Sequence, residues 1–215
     1  MNIGIDGPAG SGKTTAARLL AKKLGIFYLD TGATYRALTL KALNEKIDLF
    51  DTTALENIAK NLDLRIDGNE VYLEGQDVSN QIRVPLIDKN ISVIVSYPQV
   101  RKAMVRLQRK ITEQGDFVIE GRDITTVAFP DAEHKFYLDA DPKIRAQRRF
   151  KELTGKGLDV NFSDIEKDLI RRDQADKNRK VSPLKISDDA IVVDTTGLSI
   201  EQTVDEIIKC INSGK

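Results

Sequence analysis

The 215-residue sequence predicts an α/β fold in which a parallel sheet carries helices on both faces. Three observations point there. Short apolar segments of strand length alternate with longer segments whose apolar residues recur every three or four positions. The first strand-like segment runs straight into a glycine-rich turn and then a helix. The composition, 40% hydrophobic and 31% charged, suits a globular chain long enough to bury a sizeable core.

Met1–Asp6 reads as a strand, and Lys13–Leu24 as a helix stopped by Gly25. Ile26–Leu29 is a second strand, followed by a helix over Thr31–Lys46 capped by Asp30 or Thr31. Asp51 caps a third helix running to Leu62. The alternation then breaks. Leu64–Ile66, Val71–Glu74 and the neighbourhood of Val78 read as short strands around Asp67-Gly68 and Glu74-Gly75 turns, a small antiparallel insert. Helix resumes near Leu86 and again near Pro98. There Val100, Ala103, Met104, Leu107 and Ile111 form the apolar stripe and Gly115 marks the end. Phe117–Ile119 and Lys135–Leu138 are strands of buried type. Two helices separated by a loop around Gly155 and Gly157 follow, then a strand at Ala190–Val193 and an amphipathic helix at Ile200–Ile211. With no internal repeat, low-complexity stretch or linker, a single domain over 1–215 is expected.

Composition excludes several classes. No run approaches the ~18 apolar residues of a membrane span, and MNIGIDGPAG does not read as a signal peptide. A cytoplasmic location is expected. One cysteine, Cys210, gives no disulfide framework, and one histidine, His134, gives no His/Cys zinc site. Zero net charge argues against a nucleic-acid partner. The zero hides an asymmetry, because residues 141–185 hold 13 Lys/Arg against 8 Asp/Glu. A local basic segment on a neutral chain suggests a small anionic ligand, although each such arginine also suits a solvated helix face.

Gly7-Pro8-Ala9-Gly10-Ser11-Gly12-Lys13-Thr14 fits G-x-x-x-x-G-K-[ST], the P-loop pattern, and Thr15 follows it. The glycines let the backbone curl its N–H groups towards phosphate oxygens. Lys13 reaches the β- and γ-phosphates, Thr14 offers its hydroxyl to Mg²⁺, and the helix N-terminus favours the anion. This predicts a nucleoside triphosphate with Mg²⁺ and refines the fold to the P-loop NTPase type. The chain has no N-K-x-D element for guanine, and Asp194-Thr195-Thr196-Gly197 follows the last strand and reads as a turn. Phe117-Val118-Ile119-Glu120 comes nearest to the acidic strand of a motor ATPase but runs into Gly121-Arg122-Asp123. A small kinase remains.

The arginines then suggest the acceptor. Arg145, Arg148 and Arg149 share one helix face by i, i+3, i+4 spacing, and Arg172, Asp176 and Arg179 share another by i, i+4, i+7. Two such helices joined by a glycine loop would form a lid over phosphates, at about 145–180. Transfer to an alcohol needs a general base. A phosphate acceptor with second pKa ~6 is already largely a dianion at neutral pH and needs positive charge instead. Arginines without an evident base favour the phosphate acceptor.

The chain resembles the bacterial cytidylate kinases, a family of nucleoside monophosphate kinases, over essentially its whole length. The resemblance rests on I-D-G-P-A-G-S-G-K at the N-terminus, L-D-T-G-A-T-Y-R at 29–36 and V-Y-L-E-G-Q-D-V-S at 71–79. It continues through E-G-R-D-I at 120–124, F-P-D-A at 129–132, R-A-Q-R-R at 145–149 and R-D-Q-A-D-K-N-R at 172–179. It implies that segment 64–95 is a monophosphate-binding insert and that the activity is ATP-dependent phosphorylation of CMP and dCMP. It also implies that Thr31 and Arg36 contact the monophosphate, with Tyr35 beside them. Ser92, Arg101 and Asp123 would read the cytosine edge, and Arg122 would hold phosphate. Arg172, Asp176 and Arg179 would hold sugar and phosphate from the lid side. Lys13, Arg122, Arg172 and Arg179 would stabilise charge on the moving phosphoryl group. The expected partners are the small-molecule substrates alone, with the chain a monomer.

Other readings stay open at this point. Another small kinase (UMP/CMP, adenylate or shikimate-like) or a P-loop switch protein shares the P-loop. Ser92 would also pass as an ordinary helix serine, and Arg101 as a solvated residue opposite the apolar stripe. Tyr35, His134 and Cys210 suit packing. Two departures from the family pattern stand out: Thr125 where relatives often carry glycine, and Glu120 where some carry Asp. A glycine at 125 could take φ > 0 or allow close approach, so the loop after Asp123 is expected to differ in shape.

Overall fold

A computed structural model of the chain describes residues 1–68, 70–113, 115–155 and 157–213. β1 (Asn2–Asp6) leads to α1 (Lys13–Leu24), β2 (Phe27–Asp30), α2 (Thr31–Asn44) and α3 (Thr52–Lys60). Three short strands follow, β3 (Leu64–Asp67), β4 (Glu70–Leu73) and β5 (Gln76–Asp77). Next come a 3-10 turn at Gln81–Arg83, α4 (Pro85–Ile94) and α5 (Pro98–Thr112). β6 (Phe117–Glu120) runs into a π-helical turn at Ile124–Ala128, and β7 (His134–Asp139), α6 (Pro142–Gly155), α7 (Phe162–Asn178), β8 (Ile191–Asp194) and α8 (Ile200–Asn212) follow. Among the described residues, no helix is long and apolar enough to cross a membrane.

The chain forms two compact units, Met1–Ile26 with Phe117–Lys215, and Phe27–Asp116. In the first, neighbouring strands run β6-β1-β7-β8, all parallel, with Ile3 opposite Val118, Ile5 opposite Phe136 and Tyr137 opposite Val192. Ile3, Ile5, Val118, Ile119, Phe136 and Leu138 are fully buried. Such uninterrupted apolar runs belong to parallel strands covered on both faces. α1 lies against β1, β6 and α8, burying Ala16, Ala17 and Leu20, while α8 buries Val204 and Ile207. β1 and β6 are parallel neighbours, so Asp6 and Glu120 end at the same edge of the sheet. The loops that follow them leave side by side, at the carboxyl edge where α/β sheets bind ligands.

In the second unit, α2 to α5 enclose a core containing Leu38, Leu55, Ile82, Ile87, Ile94 and Met104. The antiparallel sheet β3-β4-β5 adds Leu64, Val71 and Leu73 to it. The Asp67-Gly68 and Glu74-Gly75 turns fall where the sequence places them. Asp30 caps α2 by accepting from Ala33 N–H at 3.0 Å, and Asp51 caps α3 through Thr53 and Ala54 N–H.

Several ends differ from the sequence expectation. α2 stops at Asn44 because Lys46 takes a φ of 56° and Ile47 N–H returns to the Ala42 carbonyl at 2.9 Å, closing the helix without a glycine. α5 ends at Thr112, ahead of Gly115. α7 ends at Asn178, and Arg179 continues in extended backbone (ψ 139°), so Arg179 leaves the helix face that carries Arg172 and Asp176. The π-helical turn has no counterpart in the periodicity.

α8 backs α1 and opens with a capping box, Ser199 Oγ accepting from Gln202 N–H and Gln202 Oε1 from Ser199 N–H. Ser199→Ala should cost about 1 kcal/mol, or roughly 2–4 °C in Tm for a chain of this size. Thermal unfolding followed by circular dichroism measures it.

Candidate active site

Gly7, Gly10 and Gly12 all take positive φ (148°, 76° and 90°), giving the turn between β1 and α1 its curl. Gly7 is the strictest position. A Cβ there would lie 2.1 Å from the Leu138 carbonyl oxygen, so only glycine lets β1 hand over to the loop beside β7. The loop is held from outside. Arg145 donates through its NH1 nitrogen to the Ala9 carbonyl at 3.0 Å and through Nε to the Ala140 carbonyl at 3.0 Å. Asp173 accepts from Ala9 N–H at 3.3 Å and pairs with Arg145 at 2.5 Å. Thr195 Oγ1 meets the Ser11 carbonyl at 3.0 Å.

Lys13 is buried, with Nζ donating to the Pro8 carbonyl at 2.6 Å and standing 3.4 Å from Ser11 Oγ. Burial pushes its ammonium down to about 7, Arg122 adding repulsion while Glu120, Asp6 and Asp176 oppose the shift. A polyphosphate among the loop N–H groups would reverse that pressure and hold Lys13 charged. Thr14 Oγ1 donates to Glu120 Oε1 at 2.6 Å. A hydroxyl beside a carboxylate is the hard-oxygen donor set that suits Mg²⁺, an ion that keeps several waters and takes its other ligands from phosphate. Among the described residues no group of three or more His, Cys, Asp and Glu forms an all-protein metal cage. The donor set therefore fits a nucleotide-borne Mg²⁺.

The loop after β6 carries Arg122 and Asp123. Arg122 Nε donates to Asp176 Oδ2 at 2.9 Å. Burial opposes its charge, but Asp176, with Glu120 and Asp173 behind it, more than offsets this, so Arg122 is held firmly as a cation. Arg179 donates to Asp123 Oδ1 at 3.3 Å and to the Ser182 carbonyl. Thus Lys13, Thr14, Glu120, Arg122, Asp123, Asp176 and Arg179 gather on the first unit. Arg172 stands apart, half-exposed and paired with Asp168 at 2.9 Å.

The second unit gathers the remaining predicted residues differently. Thr31 is buried at the start of α2, where Thr34 Oγ1 donates to its carbonyl at 2.7 Å and in turn accepts from Gln108 of α5 at 2.8 Å. Arg36, also on α2, donates to the Ile82 carbonyl at 3.1 Å and to Asp88 at 2.6 Å. Arg101 is buried rather than solvated, its guanidinium 5.5 Å from the centroid of the buried Tyr35 ring. Ser92 is exposed on α4.

A sequence profile of the cytidylate kinase family matches residues 3–213. The chain belongs to the cytidylate kinase family. It is 46% identical to the cytidylate kinase of Caldanaerobacter subterraneus subsp. tengcongensis, over 98% of this chain and 94% of that one. It is 43% identical to that of Clostridioides difficile, over 98% and 97%. A shikimate kinase from Acinetobacter baumannii shares the fold at a TM-score of 0.50 and 17% identity, covering 100% of this chain and 94% of that chain.

Within this cytidylate kinase family member, the structure gives two residues local contacts that the sequence did not assign to them. Glu120 ends an apolar strand and pairs with Thr14, a signal visible as the carboxylate at the end of Phe117–Glu120. Asp173 lies in the lid motif, but only contact reveals its hold on Ala9. The arginine cluster on α6 also resolves into separate jobs. Arg145 is buried behind the P-loop, Arg148 donates to the hydroxyl and carbonyl of Thr195, and Arg149 pairs with Glu152 at 2.8 Å. Arg145 is thus a support of the loop and not a surface arginine of a lid. Arg145→Ala would leave Asp173 buried without its cation, and should cost about 3–5 kcal/mol. Arg149→Ala should cost under about 1 kcal/mol. Urea unfolding of both variants makes the comparison.

Proposed function

We propose that the chain transfers the γ-phosphoryl group of ATP to the phosphate of CMP or dCMP, releasing ADP and CDP or dCDP. The observation that carries this reading is identity above 40% to cytidylate kinases over nearly the full length of both chains. The chemistry of the residues supports it. The Gly7–Thr15 segment holds the ATP phosphates, with Lys13 as the point charge between them. Thr14 and Glu120 would hold Mg²⁺, which would supply positive charge against that of the phosphates. Thr31 and Arg36 bind the monophosphate, and Arg36 leaves Asp88 to do so.

Arg122, Arg172 and Arg179 stabilise charge on the transferring group. The attacking group is an oxygen of the CMP phosphate, already ionised, so no residue has to remove a proton from it. The P–O bond to the ADP leaving group breaks as the new P–O bond forms. Water is the competing acceptor, and α6 and α7 act as the lid that keeps it out.

Asp123, Arg101 and Ser92 read the base. Cytosine offers an amino donor with N3 and O2 acceptors. Uracil reverses the first two, so a carboxylate and a guanidinium discriminate between them while a hydroxyl serves either way.

A coupled assay for ADP across CMP, dCMP, UMP, AMP and shikimate tests the reading. ADP release that depends on CMP is expected; release independent of any acceptor would favour a switch protein. Lys13→Ala should abolish turnover with the circular dichroism spectrum unchanged. Asp123→Ala and Arg101→Ala should each lose roughly 10- to 150-fold in kcat/KM for CMP and much less for UMP. Ser92→Ala should change the CMP/UMP ratio least. Equal losses for both bases would remove the base-reading roles.

A further inference from the structure

We propose that Thr125 is a positioning residue for the acceptor nucleotide: together with Asp6 it fastens the turn that begins at Ile124 to the end of β1, and so fixes Arg122 and Asp123 relative to the P-loop. This rests on the reading above, in which Asp123 reads the base of the monophosphate and Arg122 steadies the phosphoryl group passed to it.

The turn cannot hold itself. Ile124-Thr125-Thr126-Val127 is β-branched throughout, a poor composition for any helix. Yet Ala128 N–H bonds the Asp123 carbonyl at 2.9 Å and Phe129 N–H the Ile124 carbonyl at 2.7 Å, the i to i+5 spacing of a π turn. The missing support comes from Asp6, which is fully buried. Its Oδ1 accepts from Ile124 N–H at 2.9 Å, and its Oδ2 accepts from Thr125 N–H at 2.8 Å and from Thr125 Oγ1 at 2.7 Å. Asp6 is also the residue immediately before Gly7, so one carboxylate joins the P-loop to the Arg122–Asp123 loop. Burial raises the Asp6 carboxyl above its usual range, and the bonds from Thr125 and Ile124 oppose that shift.

Threonine is the side chain that serves both sides of the position. Thr125 is itself buried and does not take positive φ. A Cβ built on Gly4 of β1 would stand only 3.0 Å from Thr125 Cγ2 and 3.2 Å from Ile124 Cγ2. The methyl group therefore packs over a glycine gap in the strand while the hydroxyl reaches Asp6. Serine keeps the hydroxyl alone, and valine keeps the shape alone.

The P-loop has its own anchors in Arg145, Asp173 and Thr195. Loosening Thr125 should therefore act on the acceptor side more than on ATP. The experiment compares steady-state kinetics of Thr125→Val and Thr125→Ser with the unaltered chain, varying each nucleotide separately. Thr125→Val should raise KM for CMP about tenfold, with KM for ATP within about twofold, and Thr125→Ser should restore KM for CMP to within about twofold. Should Thr125→Val fail to fold, Thr125→Ala against Thr125→Ser carries the same comparison. A KM for CMP that does not move, equal shifts for CMP and ATP, or no rescue by serine overturns the proposal. If the unaltered chain does not use CMP, the functional reading fails instead. The same variants are then compared with the monophosphate it does use, and the same split decides for or against Thr125.

Discussion

A loop that turns its N–H groups towards an anion gives up the internal hydrogen bonds that hold an ordinary turn, so its shape must be imposed from outside. Here the buried Arg145–Asp173 pair imposes it. The guanidinium takes the Ala9 carbonyl and the carboxylate takes the Ala9 N–H, while Thr195 meets the Ser11 carbonyl from the far side of β7. An ion pair is an expensive support, since both partners lose water on burial. It is tolerable because both partners also bond backbone, Arg145 at the Ala9 and Ala140 carbonyls and Asp173 at the Ala9 N–H. α6, α7 and the turn after β8 therefore each have a contact that shapes the P-loop.

The same economy recurs at the end of β1. Parallel pairing with β6 brings two loops to one edge of the sheet, but pairing alone does not fix their conformations. Asp6 supplies that link through three hydrogen bonds to Ile124 and Thr125. Arg122 is then drawn by Asp176, and Asp123 by Arg179, so that both arginines have a carboxylate partner within the unit. These pairs lie mostly out of solvent. They hold the side chains in place.

In the second unit the comparable work is done by hydroxyls and an amide. Gln108 of α5 bonds Thr34, which bonds the Thr31 carbonyl, tying the first turn of α2 to a helix far along the chain. The N-terminus of α2 thus has a fixed place in its own core. Arg36, one turn along, is held by Asp88 and the Ile82 carbonyl.

Much of this is legible in the sequence. Alternating apolar runs determined the α/β class, because only parallel strands covered on both faces read as continuous Val/Ile/Leu segments. The Gly-rich turn with Lys13 and Thr14 marked the loop between β1 and α1, because its positive φ at Gly7, Gly10 and Gly12 demands glycine. Asp51, Asp67-Gly68 and Glu74-Gly75 marked their caps and turns by local chemistry alone. Other features belong to the tertiary structure. Arg145 and Arg149 lie in one arginine run, yet one is buried behind the P-loop and the other sits at the surface, and helical spacing does not distinguish them. Arg101 is buried under Tyr35 on a face that reads as polar. The π turn at Ile124–Ala128 contradicts its own β-branched composition and exists because Asp6, more than a hundred residues earlier, accepts its hydrogen bonds. Periodicity and propensity report what a segment prefers alone, whereas a buried carboxylate or guanidinium is decided by which distant groups can satisfy it.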